Sequence, residues 1–310
     1  MSLLKNLIEA EIAVLIPCFN EELSINQVVL DFKRFLPRAK IYVYDNNSTD
    51  QTAEIARAAG AIVRTEEKQG KGHVVYRMFG DIEADFYIMV DGDGTYDISV
   101  APQMIEILIN ERCDMVNGKR IESNKENYRS GHRFGNIFLT GVVSTVFAHR
   151  FSDMLSGYKA FSKKFVKSFP GFSKGFEIET QLTVHALEMN LPVKEIETKY
   201  TNRVIGSVSK LNTYKDGIKI LYAIFLLVIR EKPFAFFGGI SLGLMLVICG
   251  LFVPIYRTYL MTGLVPKIPT LILIGIFGIA SLISLVTGLV TESLTIARKE
   301  FKRLVYLSIR

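Results

Sequence analysis

Two stretches of this chain, Phe234–Tyr256 and Ile268–Thr291, contain no charged residue, and that constrains the fold more than any other feature of its 310 residues. A helix rises about 1.5 Å per residue, so each stretch covers roughly 30 Å, the thickness of the hydrocarbon layer of a bilayer. The pair predicts a transmembrane hairpin and confines any soluble domain to the residues before Lys232. That leaves room for one substantial domain. Arg230 and Lys232 precede the first span and Arg298, Lys299, Lys302, Arg303 and Arg310 follow the second, whereas the connecting loop carries only Arg257 and Lys267. This asymmetry predicts that both termini and the N-terminal domain are cytoplasmic and that the loop faces out. Met1 to Glu11 lacks the basic, apolar, small-residue order of a secretory signal, which agrees with that orientation in a cell membrane.

The net charge of +6 sits largely beside the spans, so anionic lipid headgroups, not nucleic acid, are its expected partner. Cys18, Cys113 and Cys249 have no metal-ligand spacing and read as reduced thiols. His73, His132, His149 and His185 are scattered in the same way. Leu211 to Ile229 begins polar, at Lys215, Asp216 and Lys219, and turns wholly apolar from Ile220, the pattern of a helix lying in the membrane interface. The uncharged run Phe134 to Ala148 is short and holds Asn136, Thr140, Ser144 and Thr145, which favours a buried helix over a third span. The expected organisation is a cytosolic domain over residues 1–210, an interfacial helix over 211–230, and a hairpin with a basic cytosolic tail over 231–310.

Within the domain, short apolar runs alternate with helical patterns, the signature of an α/β fold with a mainly parallel sheet. Strands are predicted at Ile12 to Ile16, Ile41 to Tyr44, Ala61 to Arg64 and Phe86 to Val90. Helices are predicted at Leu23 to Phe35, Thr52 to Ala59, Lys71 to Phe79 and Val100 to Glu111. Polar segments follow three of the strands, at Pro17, Asp45 and Asp91, and in an open parallel sheet ligands bind at those carboxyl ends.

The segment Asp91-Gly92-Asp93-Gly94-Thr95 places two carboxylates two positions apart after an apolar strand. One can meet a nucleotide ribose while the other meets a divalent cation on a diphosphate, and the glycines permit close backbone approach. A calcium loop or a plain turn would use the same residues. Pro17-Cys18-Phe19-Asn20-Glu21 and Asp45-Asn46-Asn47-Ser48-Thr49-Asp50 bring further acids to the same edge. The loop Gln69-Gly70-Lys71-Gly72 offers a weaker signal for phosphate.

Taken together, these three strand ends resemble the family 2 glycosyltransferases of GT-A (Rossmann-like) fold, with their Pro-x-Tyr-Asn-Glu-like turn, Asp-Asp-Gly-Ser-x-Asp turn and Asp-x-Asp donor motif. Within that family the whole chain resembles the dolichyl-phosphate mannose synthase and polyprenyl-phosphate glycosyltransferase branch. Gly118-Lys119-Arg120, the segment Asp153 to Phe161 with Ser156-Gly157-Tyr158-Lys159-Ala160-Phe161, Phe176-Glu177-Ile178-Glu179, and Arg203 to Lys210 resemble further elements of the branch. The last carries one extra residue before Ser209.

The resemblance implies transfer of a sugar from a nucleotide diphosphate-sugar to a polyprenyl phosphate, undecaprenyl or dolichyl, with inversion and with Mg²⁺ or Mn²⁺. It implies that Pro17, Phe19, Glu21, Val43 and Asp45 line the base and ribose, that Asp91 and Gly92 continue that wall, and that Asp93 holds the metal with Asp91 and Thr95 beside it. Phe19 stands where the family has tyrosine, and Thr95 where the mannose synthases have a metal-ligating glutamine, which favours UDP over GDP. An enzyme joining two anionic substrates needs cations for both phosphates. Arg120, Arg203 and Lys210 are the candidates, with Lys71 on the donor side and Arg133 as a further cation. A processive polysaccharide synthase shares this domain but normally carries a Gln-x-x-Arg-Trp motif, and this chain has no Trp. A non-catalytic nucleotide-binding scaffold is the third reading, opposed by the intact pair Asp91 and Asp93. Gly238, Gly239, Gly243, Gly250, Gly275, Gly278 and Gly288 give the spans close-packing faces, from which a homo-oligomer is expected.

Overall fold

The computed structural model describes residues 10–122, 152–171, 178–201, 225–226, 229–265 and 267–309. Arg133, Arg203, Lys210, Glu177, the uncharged run 134–148 and nearly all of the expected interfacial helix 211–230 lie outside the described residues. The chain forms two compact units, one of residues 1–220 with Lys302–Arg310, the other Leu221–Phe301.

The first unit is built on a seven-stranded, mostly parallel sheet in the order β3-β2-β1-β4-β6-β5-β7. Strand β1 (Ile12–Cys18) is buried at every position, as expected of a central parallel strand covered on both faces. It pairs in parallel with β2 (Lys40–Asp45) and β4 (Phe86–Met89), and β2 pairs with the edge strand β3 (Ile62–Thr65). The crossovers are α1 (Ile25–Phe35), α2 (Thr52–Ala58) and α3 (Lys71–Asp81). Helix α1 buries Ile25, Val28, Val29 and Phe32, one face at the helical repeat. Helix α4 (Ala101–Asn110) buries Ala101, Met104, Ile105 and Leu108 at the same spacing. Each of the eight predicted elements is found, its bounds shifted by at most two residues.

Three further strands complete the sheet. Strand β5 (Met115–Glu122) is antiparallel to β6 (Lys159–Ser162) and parallel to β7 (Val193–Tyr200), and β6 runs antiparallel to β4. Two short helices, α5 (Lys163–Ser168) and α6 (Ile178–Glu188), follow β6. The chain runs outward from β1 through β2 to β3, then returns to β4 on the other side of β1. That reversal opens a crevice at the carboxyl ends of β1 and β4.

Among the described residues two helices are long and apolar enough to cross a membrane, α7 (Pro233–Thr262) and α8 (Ile268–Ser308), and the second unit holds α7 and the part of α8 up to Phe301. Most of their large apolar side chains are exposed, including Leu242, Leu246, Leu260, Ile279 and Leu282, so they are not core helices of a soluble fold. Small residues join them: Ser241 and Ser281 hydroxyls meet at 2.8 Å, and Ser284 donates to the Phe237 carbonyl at 2.9 Å. A Cβ on Gly288 would come within 3.1 Å of Phe237, whereas the other six expected packing glycines face open space. Near one end the buried carboxylate of Glu231 pairs with Arg298 at 2.6 Å and Lys299 at 2.9 Å.

Candidate active site

The end of β1 is held to the end of β2 by Asn46, whose amide donates to the Cys18 carbonyl at 2.9 Å. Beyond β1, the Glu21 amide donates to Thr52 Oγ1 at 2.8 Å, and Ser24 Oγ donates to the Gly92 carbonyl at 2.7 Å. Ser24 therefore ties the start of α1 to the loop after β4. Pro17, Glu21, Val43 and Asp45 are buried here and Phe19 is half-buried. Asp45 accepts the Ser48 amide on Oδ2 at 3.2 Å, while its buried Oδ1 has no hydrogen-bond partner. A buried carboxylate oxygen left unsatisfied costs stability, so its retention points to use as an acceptor for a bound group.

Asn46 also fixes the loop before α3. Its side-chain amide donates to the carbonyls of Glu66 at 2.8 Å and Lys68 at 2.9 Å, and its Oδ1 accepts the Gly70 amide at 2.7 Å. Gly70 has φ 125°, a left-handed conformation that favours glycine, and delivers the chain directly into Lys71. The Lys71 ammonium then contacts both Asp91 and Glu179. Burial alone would lower the Lys71 pKa, but the two carboxylates outweigh it and raise it, so the side chain stays charged. Burial raises the Glu179 carboxyl, with Lys71 opposing.

The loop after β4 is packed too closely to accept larger residues. A Cβ on Gly92 would lie 2.5 Å from Cys18 Sγ, and one on Gly157 would lie 2.3 Å from Asp91 Oδ2. Asp93 is buried, and its Oδ1 accepts from the Thr95 hydroxyl at 2.7 Å and the Thr95 amide at 3.2 Å. Thr95 thus aims the Asp93 carboxylate. The Tyr96 hydroxyl accepts the Gly157 amide at 2.8 Å and fixes the floor beneath Asp91.

Arg120 is engaged by Asp153 through two charge-assisted bonds, Nε to Oδ2 at 2.7 Å and Nη2 to Oδ1 at 2.8 Å, with its guanidinium over the Tyr200 ring at 5.4 Å. Burial acts to raise the Asp153 carboxyl, but Arg120 holds it below the usual range. Lys159 is completely buried and donates to Asn117 Oδ1 at 2.5 Å and Thr183 Oγ1 at 3.3 Å; burial lowers its amino group to about 8.

The structure places Asp45 at the end of β2 and Asp91, Gly92 and Asp93 just after β4, and brings Lys71, at the start of α3, into contact with Asp91. It adds three residues whose roles the spacing did not show: Asn46, Gly157 and Glu179. The signals were present, since Gly157 lies in the Ser-Gly-Tyr segment and Glu179 in the Phe-Glu-Ile-Glu segment, but their partners are distant in sequence. Asp91 and Asp93 present hard carboxylate oxygens, the donor type that Mg²⁺ and Mn²⁺ prefer. Among the described residues no cluster of three or more His, Cys, Asp or Glu could hold a metal alone. The chemistry of the two aspartates fits a hard divalent cation.

A sheet of this order with acids at its β1, β2 and β4 ends defines a GT-A-like α/β domain. The model of the family described as Glycosyl transferase family 2 matches residues 13–169. Glycosyltransferase AglJ of Haloferax volcanii is 32% identical over 250 residues, covering 80% of this chain and 81% of that protein. A dolichyl-phosphate hexose transferase from the same organism is 26% identical over 72% of this chain and 96% of its own length. Glucosyl-3-phosphoglycerate synthase from Mycobacterium tuberculosis, solved with Mn²⁺, uridine-diphosphate-glucose and glycerol 3-phosphate, shares the fold with a TM-score of 0.58 at 20% identity, over 72% of this chain and 82% of that one. This chain belongs to glycosyltransferase family 2.

Proposed function

We propose that this glycosyltransferase moves a hexose from a UDP-sugar to the phosphate of a polyprenyl lipid, undecaprenyl or dolichyl phosphate, at the cytoplasmic face of the cell membrane. The observation that carries the reading is one chain holding both a GT-A-like crevice, with a buried and unpartnered Asp45 oxygen, and two helices long and apolar enough to cross a membrane. The likeness to a dolichyl-phosphate hexose transferase supports the acceptor class, and the Mn²⁺ and UDP-glucose in the solved relative support the donor class.

In this reading Pro17, Phe19, Glu21, Val43 and Asp45 hold the uridine, and Asp91 and Gly92 continue its wall. Asp93, aimed by Thr95, and Asp91 would hold Mg²⁺ or Mn²⁺, which would supply positive charge to offset that of the departing diphosphate. Lys71 adds a cation on the donor side. The acceptor phosphate is already an anion and attacks the anomeric carbon directly. The bond from that carbon to the diphosphate oxygen breaks as the new bond forms, which inverts the centre. The protein's task is alignment and charge stabilisation, with no requirement for a general base. Arg203 and Lys210 are assigned to the acceptor phosphate, and Arg120, oriented by Asp153 and Tyr200, is a further cation for the two phosphates.

The test is purified full-length chain in lipid nanodiscs, a panel of UDP- and GDP-sugars, and each polyprenyl phosphate in turn. One UDP-hexose should give an alkali-resistant, acid-labile lipid-phosphate-sugar, and EDTA or Asp93→Ala should stop its formation. Sugar transfer that is independent of lipid phosphate, or full activity in EDTA, contradicts the proposal.

A further inference from the structure

The Lys71 ammonium touches two carboxylates, Asp91 on the donor wall and Glu179 in the first turn of α6, 108 positions further along the chain. The three side chains are 10%, 29% and 5% exposed, so water does little to screen them from one another. One ammonium against two carboxylates leaves the cluster one charge negative. The second oxygen of Glu179, Oε2, is buried and has no hydrogen-bond partner.

If Lys71 faced Asp91 alone, the two would form a closed pair, and a dication brought to Asp91 would meet the ammonium at close range. Glu179 changes this balance. It already holds Lys71 through Oε1, and its spare Oε2 can take a second hydrogen bond without any backbone movement. We infer that Glu179 is a positioning residue for donor binding, retaining Lys71 when Asp91 turns to the metal-nucleotide complex. Lys71 then stays in the crevice as a cation for the diphosphate and does not compete for Asp91. The inference rests on the donor-site reading above, and goes beyond it by giving Glu179 a part in metal binding without contact to metal or sugar.

The experiment titrates Mn²⁺ at saturating UDP, following free Mn²⁺ by electron paramagnetic resonance, on the full-length wild type, Glu179→Gln, Lys71→Met and the double variant. With Lys71 present, Glu179→Gln should weaken apparent Mn²⁺ affinity at least fivefold. In the Lys71→Met background the same change should alter affinity by less than twofold, because no ammonium is left to be held. Glu179→Asp, which keeps the charge, should remain within threefold of wild type and guards against a folding defect. A loss below fivefold in Glu179→Gln, an equal loss in both backgrounds, or a loss in Glu179→Asp as large as that in Glu179→Gln overturns the inference. A wild type that binds no Mn²⁺ with UDP instead overturns the donor-site reading itself, and the inference with it.

Discussion

At the scale of single residues, Gly157 and Lys159 show how closely the segment before and within β6 is fitted. Gly157 does not need left-handed backbone, so the sensitivity of that position comes from contact alone. An added Cβ would stand 2.3 Å from Asp91 Oδ2 and 2.8 Å from its Cγ, inside any van der Waals distance. Gly157→Ala should therefore push the Asp91 carboxylate out of place and raise the donor KM about tenfold, equivalent to ~1.4 kcal/mol, while the chain still folds. Donor KM and turnover measured side by side check this, and an unchanged KM contradicts it. Lys159 makes a pH prediction. Its amino group is lowered by burial from the ordinary 10.5 to about 8, so between those values the unfolded chain binds a proton that the folded chain does not. Stability from this site is full above about 10.5 and is lost as pH falls through about 8. Relative to Lys159→Met, wild-type stability should rise across that window by roughly 3 kcal/mol and stay level below it. Denaturation of both proteins from pH 7 to 10.5 would show a flat difference if Lys159 were freely solvated.

At the scale of elements, the loop between β3 and α3 makes three hydrogen bonds with the Asn46 side chain and accepts one at 2.8 Å from Asn47 at the Glu67 carbonyl. Asn46→Ala removes three hydrogen bonds to Glu66, Lys68 and Gly70, each worth about 1 kcal/mol net. The loop should loosen, Lys71 should lose its fixed approach, and hydrogen exchange at the Gly70 amide should accelerate by roughly tenfold or more, with a rise in donor KM. Unchanged protection at Gly70 would show that α3 holds the loop without Asn46. The first half of the sheet was legible because β1, β2 and β4 are apolar runs ending in polar turns, and α1 and α4 show one apolar face. The second half was not. Strand β6 is only four residues and opens on the buried Lys159, while β5 carries Gly118, Lys119 and Arg120, and β7 alternates half-exposed charged residues at the sheet edge. Periodicity detects covered apolar faces, and these strands have few. The site divides in the same way. Asp45, Asp91 and Asp93 lie at the ends of legible strands, but the Lys71–Glu179 and Gly157–Asp91 contacts join segments 66 to 108 residues apart and exist only once the sheet has formed.

At the scale of the whole molecule, the chain completes its first unit with its last residues. Lys302 to Arg310 group with residues 1–220, although the entire apolar hairpin is made between them. Within that unit Lys302 pairs with Glu188 at the end of α6, both side chains largely buried. The Tyr306 hydroxyl donates to Asp114 Oδ2 at 2.9 Å, and the Lys164 ammonium lies 5.7 Å from the Tyr306 ring centre. Asp114 is itself fixed, since its Oδ1 accepts from Ser162 Oγ at 2.6 Å, so Tyr306 binds where β5 begins and β6 ends. The basic tail expected from sequence is therefore an ordered part of the catalytic unit as well as a source of positive charge. Ending the chain at Phe301 removes the Lys302 counter-charge from a buried carboxylate and the phenol from Asp114, a loss of about 3 kcal/mol or more. For a unit of this size that corresponds to a fall of roughly 6–12 °C in Tm. Tyr306→Phe, which removes only the hydroxyl, should lower Tm by about a third as much, and Lys302→Met should fall between the two. Thermal unfolding of all four proteins in nanodiscs, followed by the fluorescence of a dye that binds newly exposed apolar surface, provides the comparison. A truncated chain melting within about 1 °C of wild type would mean that the arm rests on the domain without stabilising it, and that the catalytic unit is complete before the hairpin is made.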